Sequence, residues 1–267
     1  SFYFGRSSGF VDCDIACPVP RVPESLFRDF DWFLTLAKHA RLLSRAWTSL
    51  FSVGVAGKPR GYYASVIDRL SADLEQWRLS IPANWRPGEH FTAHQLQETG
   101  HRVRPLALWT LFLYNGFHSL LRARLHLTIH FNRIPNAETQ TENTKQLMET
   151  SPSIFELLSF IDAEPHTPLW LLAGIPVLAL FVLFDLVINN PRHPSTSSNL
   201  ALLDMAGGHF SRIEYASGGS LPGSLIAEFA HIAREYVNDL HRSGAAVPVQ
   251  GAGENSNSAP AGAMATG

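Results

Sequence analysis

The sequence is poor in lysine and cysteine, and its positive and negative charges nearly cancel. Its 267 residues carry a formal net charge of -2 and include three lysines and two cysteines. Nucleic-acid-binding domains usually present a strongly basic face, so this balance gives no electrostatic footprint for DNA or RNA. Two thiols cannot build a disulfide framework, which favours a reducing, intracellular compartment.

The first residues contain neither an initiator methionine nor a basic segment followed by an apolar run. The chain opens on Ser1. We therefore expect no signal peptide. We interpret the missing methionine as a sign of a fragment or an N-terminally truncated product.

Long apolar runs are scarce, with one clear exception at residues 169–188, LWLLAGIPVLALFVLFDLVI. About 20 mostly apolar residues suffice to span a membrane, but a central helix of a soluble domain is also apolar on all sides. Pro176 and Asp185 count against a lipid-facing span, because an unpaired carboxylate in lipid costs a few kcal/mol. We expect a buried core helix and no membrane contact, and keep a membrane anchor as the alternative.

The apolar residues elsewhere recur mainly at helical spacing, and no segment alternates convincingly as a strand would. This predicts an all-α fold, with one large helical domain at residues 1–242 and a disordered tail at 243–267, which is rich in Gly, Ala, Ser and Pro. Residues 1–25 should be irregular. The predicted helices span residues 26–53, 62–80, 105–131, 138–161, 169–188, 197–215 and 221–242.

Some details of these helices can be predicted from local signals. Ser25 is a plausible N-cap for the first helix, and Pro152 should interrupt the fourth. The pair Gly207–Gly208 should weaken the sixth helix in its middle. An apolar stripe on the seventh should join those of the first three helices in packing around the fifth. The members of that seventh-helix stripe are Leu225, Phe229, Ile232, Tyr236 and Leu240.

Two patterns could in principle hold a metal. His126 and His130 lie four apart on one helix face, but the sequence offers them no third ligand. Cys13 and Cys17 resemble half of a zinc site whose second pair of ligands is absent. We expect unligated histidines and isolated thiols, and assign no metal ligand.

Catalytic patterns are no stronger. The sequence Gly5-Arg6-Ser7-Ser8-Gly9 matches GxSxG, but a nucleophile elbow needs a preceding strand and a following helix. Several histidines and aspartates could form an acid–base pair, although no spacing selects one. We therefore assign no catalytic and no cofactor-binding residue, and an all-α enzyme with an unidentified site stays an alternative. The acid–base candidates are His166, His193, His209, His231, Asp162, Asp185 and Asp204.

Four segments taken together resemble the regulatory domain, or middle homology region, of fungal zinc-cluster transcription factors. In GRSSGFVDCDIACPVP, the family's Gly-Arg-Pro-like turn appears with Ser7 in place of Pro, followed by acidic positions at Asp12 and Asp14. In VIDRLSADLEQWRLSIPANW, the family's helical pattern of Leu, Leu and Trp before a Leu-Pro-like step is matched. The residues matching this second pattern are Leu70, Leu74, Trp77, Ile81 and Pro82.

The third segment, LYNGFHSLLRARL, resembles the family helix that carries Tyr and ends in Leu-Leu-His-Arg-Pro. Tyr114, Leu120, Leu121 and Arg124 fit it, whereas Ala123 and Leu125 replace the usual His and Pro. The fourth is the apolar helix followed by Asn190–Pro191 and then NLALLDMAGGHFSRIE, in which Asn199 replaces the family's Asp. The four segments occur in the family's order across residues 1–215.

The resemblance implies a nuclear regulator of transcription by RNA polymerase II. Proteins of that family bind DNA through two zinc ions held by six cysteines, so this chain would have no cofactor of its own and would contact DNA only through a module that the sequence does not contain. The resemblance further implies transcriptional co-regulators or a small-molecule effector as partners. A homodimer is a further expectation.

Overall fold

The computed structural model describes residues 12–19, 22–27, 29–88, 104–131, 137–161, 167–221 and 223–245. Within these residues almost all regular structure is helical, which confirms the predicted all-α fold. Residues 1–11 and residues 246–267, which make up most of the predicted tail, lie outside the described residues, whereas residues 243–245, also predicted as tail, continue the last helix. The helices are α1 (Trp32–Ala46), α2 (Arg60–Leu79), α3 (Arg104–Phe131), α4 (Ala137–Leu158), α5 (Ile175–Asn189), α6 (Thr196–Ala216) and α7 (Gly223–Ala245).

The first helix begins later than predicted, because a small hairpin precedes it. Strands β1 (Leu26–Phe27) and β2 (Phe30–Asp31) pair antiparallel. The cap is Asp31, whose Oδ1 accepts a hydrogen bond from the backbone N–H of Leu34 at 3.0 Å. Ser25, which we predicted as the cap, instead donates its hydroxyl to the same Asp31 Oδ1 at 2.8 Å. The burial of Phe30 in the core, stacked on another aromatic ring, favours this hairpin over a longer helix.

The prediction that Pro152 interrupts the fourth helix is wrong, because Pro152 lies inside a continuous α4. Proline removes one backbone hydrogen bond and crowds the preceding turn, at a cost of about 3 kcal/mol. The next turn buries Ile154 and Phe155 almost completely, and α4 packs along both α3 and α5. The free energy gained from that packing outweighs the cost of a proline inside the helix.

The apolar run forms α5 and the wider helical turn Trp170–Gly174 that leads into it. Leu171–Asn189 is long and apolar enough to cross a membrane, with a mean hydropathy of 2.7, yet 61% of it is buried inside the protein. Its neighbours are α3, α4, α6 and α7. The expectation that α1 and α2 also pack chiefly on α5 is not met, since α2 packs mainly on α1 and α3.

The buried face of α7 differs from the predicted one. Leu225 is 70% exposed, whereas Ala230, Ala233 and Val237 are buried. Small residues on this face let α6 and α7 approach closely: a Cβ added at Gly207 would lie 3.4 Å from that of Ala227. Of the predicted stripe, Phe229 packs against Phe181 and Phe184 of α5 as expected, whereas Ile232 and Tyr236 are exposed like Leu225.

Candidate functional site

A surface cavity of about 210 Å³ lies between α4 and α6, and it is open to solvent on one side. Its floor is apolar and its rim carries one cation. A cavity of about 150 Å³ is enough to hold benzene, so this one has room for a small ring compound. The lining residues are Phe155, Leu158, Ser159, Met205, Gly208, His209 and Arg212.

The tautomer of His209 is fixed by its partner. Its Nε2 lies 2.8 Å from the backbone carbonyl oxygen of Leu172, and a carbonyl can only accept, so Nε2 carries the proton. Burial lowers the pKa of His209, which keeps the ring neutral, although the Leu172 carbonyl opposes that shift. The other ring nitrogen, Nδ1, is then a bare acceptor.

That Nδ1 atom is buried and has no hydrogen-bond partner. His209 as a whole is 7% exposed. A buried polar atom without a partner costs about 1–3 kcal/mol, so a donor brought to this position would recover part of that cost.

The sixth helix is continuous through its glycine pair, but the two glycines face different surroundings. Gly207 faces α7. Gly208 lines the cavity, and a Cβ added there would meet no atom within 4 Å. Glycine in a helix interior costs about 1 kcal/mol relative to alanine, and packing does not require it at position 208.

The two patterns that could in principle hold a metal were expected to hold none. His126 Nε2 lies 3.1 Å from Asp185 Oδ2, so the single charge of the apolar run pairs across α3 and α5. The side chain of His130 lies outside the described residues. Cys13 and Cys17 are exposed free thiols. Within the described ranges, no three metal-ligating side chains cluster.

The acid–base candidates among the described residues pair with other residues and not with one another. Asp204 of α6 pairs with Arg234 of α7, and His231 lies 3.3 Å from Glu235 within α7. His193 accepts a hydrogen bond from the backbone N–H of Ser195. His166 and Asp162 lie outside the described residues. Of these candidates, His209 lines the cavity between α4 and α6.

Residues that carried the family resemblance hold helices together. Trp77 of α2 donates its Nε1–H to the backbone oxygen of Thr35 in α1 at 2.9 Å. Asp12 forms an ion pair of 3.1 Å with Arg41. Asn190 caps the end of α5 by donating its amide to the Leu186 carbonyl. These motif residues are thus structural in this chain.

From the sequence, His209 is an acid–base candidate and Gly208 belongs to a pair that weakens the sixth helix, but no local pattern places the two in one site. The available signal was a glycine in the middle of an amphipathic helix, directly before a histidine. Both residues line a cavity with residues of α4, and this proximity arises from the packing of two helices that are about 50 residues apart in the chain.

The chain has relatives among fungal regulatory proteins. It is 25% identical over 226 residues to an ABC-transporter-regulating transcription factor of Aspergillus oryzae. It is 24% identical over 226 residues to a protein of the same name in Aspergillus fumigatus. Each match covers 77% of this chain and 24% of the relative.

The chain therefore spans about a quarter of the length of the curated relatives it matches. No protein-family model matches the chain, and no solved structure matches it. Both relatives are fungal proteins named as transcription factors, and both are at low identity to this chain.

Proposed function

We propose that the chain is the regulatory, middle homology domain of a fungal zinc-cluster transcription factor that acts in the nucleus on genes transcribed by RNA polymerase II. The observation that carries this proposal is the match to two transcription factors across 77% of the chain. The four sequence segments that occur in the family's order between residues 5 and 215 support the assignment to the zinc-cluster family. The all-helical fold agrees with it.

In this proposal, regulation is the function of this chain and DNA binding is the function of a separate module. DNA contact belongs to a six-cysteine zinc module outside these residues, because two cysteines cannot hold two zinc ions. This chain contacts no membrane, and its expected partners are co-regulators, a small-molecule effector or a second copy of itself.

A tethering assay tests the regulatory role. The 267-residue chain is fused to an unrelated sequence-specific DNA-binding domain and expressed in a fungal host with a reporter gene that carries the matching sites. We expect reporter transcription to rise or fall relative to the DNA-binding domain alone. The same fusion carrying Leu180→Asp should leave reporter transcription at the level of the DNA-binding domain alone. Leu180 is completely buried in the core, so a carboxylate there should unfold the chain.

The matched control is Leu225→Asp, the same chemical change at a position that is 70% exposed. This fusion should regulate as the parent does. A soluble, nuclear fusion of the parent chain that leaves the reporter unchanged would contradict the proposed function.

A further inference from the structure

We infer that the cavity between α4 and α6 binds a small aromatic acid that also carries a hydroxyl group. The proposed function gives this binding its regulatory meaning, as the effector site of the domain. The inference itself stands on four features of the cavity: its size, its apolar walls, the bare acceptor of His209 and the cation of Arg212.

Size and wall chemistry define the body of the ligand. Drug-sized pockets have about 300–1,000 Å³, so a cavity of about 210 Å³ suits a single substituted ring. Phe155 and Leu158 of α4 form the apolar wall, and Met205 of α6 lies opposite. A flat aromatic ring suits such walls, because aromatic side chains and a methionine sulfur both make favourable contacts with its faces and edges.

The hydroxyl group is assigned from His209. Its Nε2–H is engaged by the Leu172 carbonyl, so Nδ1 can accept a hydrogen bond from a ligand but cannot donate one. Met205 lies one turn earlier on the same helix and is 51% exposed. Nδ1 itself is closed to solvent, so a ligand hydroxyl reaches it only when the lining side chains move, and Met205, with three rotatable bonds, is flexible enough to do so.

The acid group is assigned from Arg212, one turn after His209. One of its terminal nitrogens donates to the Ile161 carbonyl at 3.2 Å, which ties the guanidinium to the end of α4 at the cavity. Its planar fork of five N–H donors leaves others for a carboxylate. His209 and Arg212 lie one helical turn apart on α6, so the proposed ligand carries its hydroxyl and its carboxylate at separate positions of one small ring.

Gly208 is the independent observation. Gly208 borders the cavity, and a Cβ added at this position would meet no protein atom within 4 Å. Helix stability would favour almost any other residue there. Keeping the cavity open gives a physical reason for the glycine.

The test uses the purified 267-residue chain and three probes: 4-hydroxybenzoate, benzoate and phenol. Binding is followed by calorimetry and by the NMR signals of the His209 ring. We expect 4-hydroxybenzoate to bind about two- to tenfold more tightly than benzoate, which lacks the donor, because a hydrogen bond contributes about 0.5–1.5 kcal/mol. Phenol, which lacks the carboxylate, should also bind more weakly than 4-hydroxybenzoate.

Two variants and one control locate the site. Gly208→Leu should abolish binding of all three probes while the melting temperature stays equal or rises. Arg212→Gln should weaken 4-hydroxybenzoate and benzoate several-fold and leave phenol unchanged. Ala201→Leu, at an exposed position of the same helix outside the cavity, should leave all three affinities unchanged.

Three results would each overturn the inference. These are no saturable binding of 4-hydroxybenzoate, equal affinity for benzoate, and undiminished binding by a folded Gly208→Leu chain. Binding is measured on the purified chain, so an absence of probe binding would not contradict a positive reporter result. A silent reporter with intact probe binding would refute the transcriptional role alone.

Discussion

Replacing Leu180 with aspartate tests whether α5 is the centre of this fold. Leu180 is completely buried, as are Ile175, Ala179 and Leu183 on the same helix. Removing a buried leucine side chain down to alanine costs about 2.7–5 kcal/mol. Aspartate adds a carboxyl group in an apolar core, and a buried polar group without a partner costs several kcal/mol more.

The sum of these costs is comparable to the whole stability of a domain, which is about 5–15 kcal/mol. We therefore expect the Leu180→Asp chain to be insoluble or unfolded. Leu180→Ala supplies a measurable intermediate, with a urea unfolding free energy lowered by about 3–5 kcal/mol. The readouts are the soluble fraction, helical circular dichroism and the unfolding midpoint.

Leu225→Asp is the matched control, since it places the same carboxylate on a side chain that is 70% exposed. It lies in the first turn of α7, where a negative charge interacts favourably with the helix dipole. We expect an unchanged or slightly higher melting temperature. A Leu180→Asp chain that stays folded with the melting temperature of the parent would show that α5 is not central.

Four further predictions follow from the same residues. His39 is fully buried, and burial lowers its pKa to about 4, so only the unfolded chain takes up a proton at His39 as the pH falls from 7 to 5. The free energy of unfolding should therefore fall by about 2 kcal/mol over this pH range, and urea unfolding of His39→Phe should show a weaker pH dependence. Gly208→Ala should stabilise α6 by up to about 1 kcal/mol and raise the melting temperature by about 2–4 °C, whereas a lower value would mean that the added methyl group clashes. Because residues 171–189 are mostly buried, the expressed chain should stay in the supernatant after a carbonate wash, and recovery in the membrane pellet would support the anchor. With a net charge of -2, the purified chain should give no sequence-selective gel shift, and a salt-sensitive, selective shift would refute this.

The sequence alone determined the helices whose signals are local. The apolar spacing and the breaking prolines placed α2, α3 and α6 within about two residues of their observed ends. The nearly uncharged run around Leu180 predicted a buried helix, because only burial or lipid accommodates such a surface. From composition the chain is also predicted to lack a strongly basic face, and this stays a prediction.

Tertiary structure decided what depends on contacts between distant residues. Burial of Phe30 set the start of α1, and packing carried α4 through Pro152 despite its lost hydrogen bond. The close approach of α6 and α7 buried the small-residue face of α7 and left Leu225 exposed. The cavity followed only from the crossing of α4 and α6, which brings Phe155 opposite His209. A periodic pattern shows that a helix has an apolar face, but the free energy of packing against its neighbours selects which face is covered and where a gap is left.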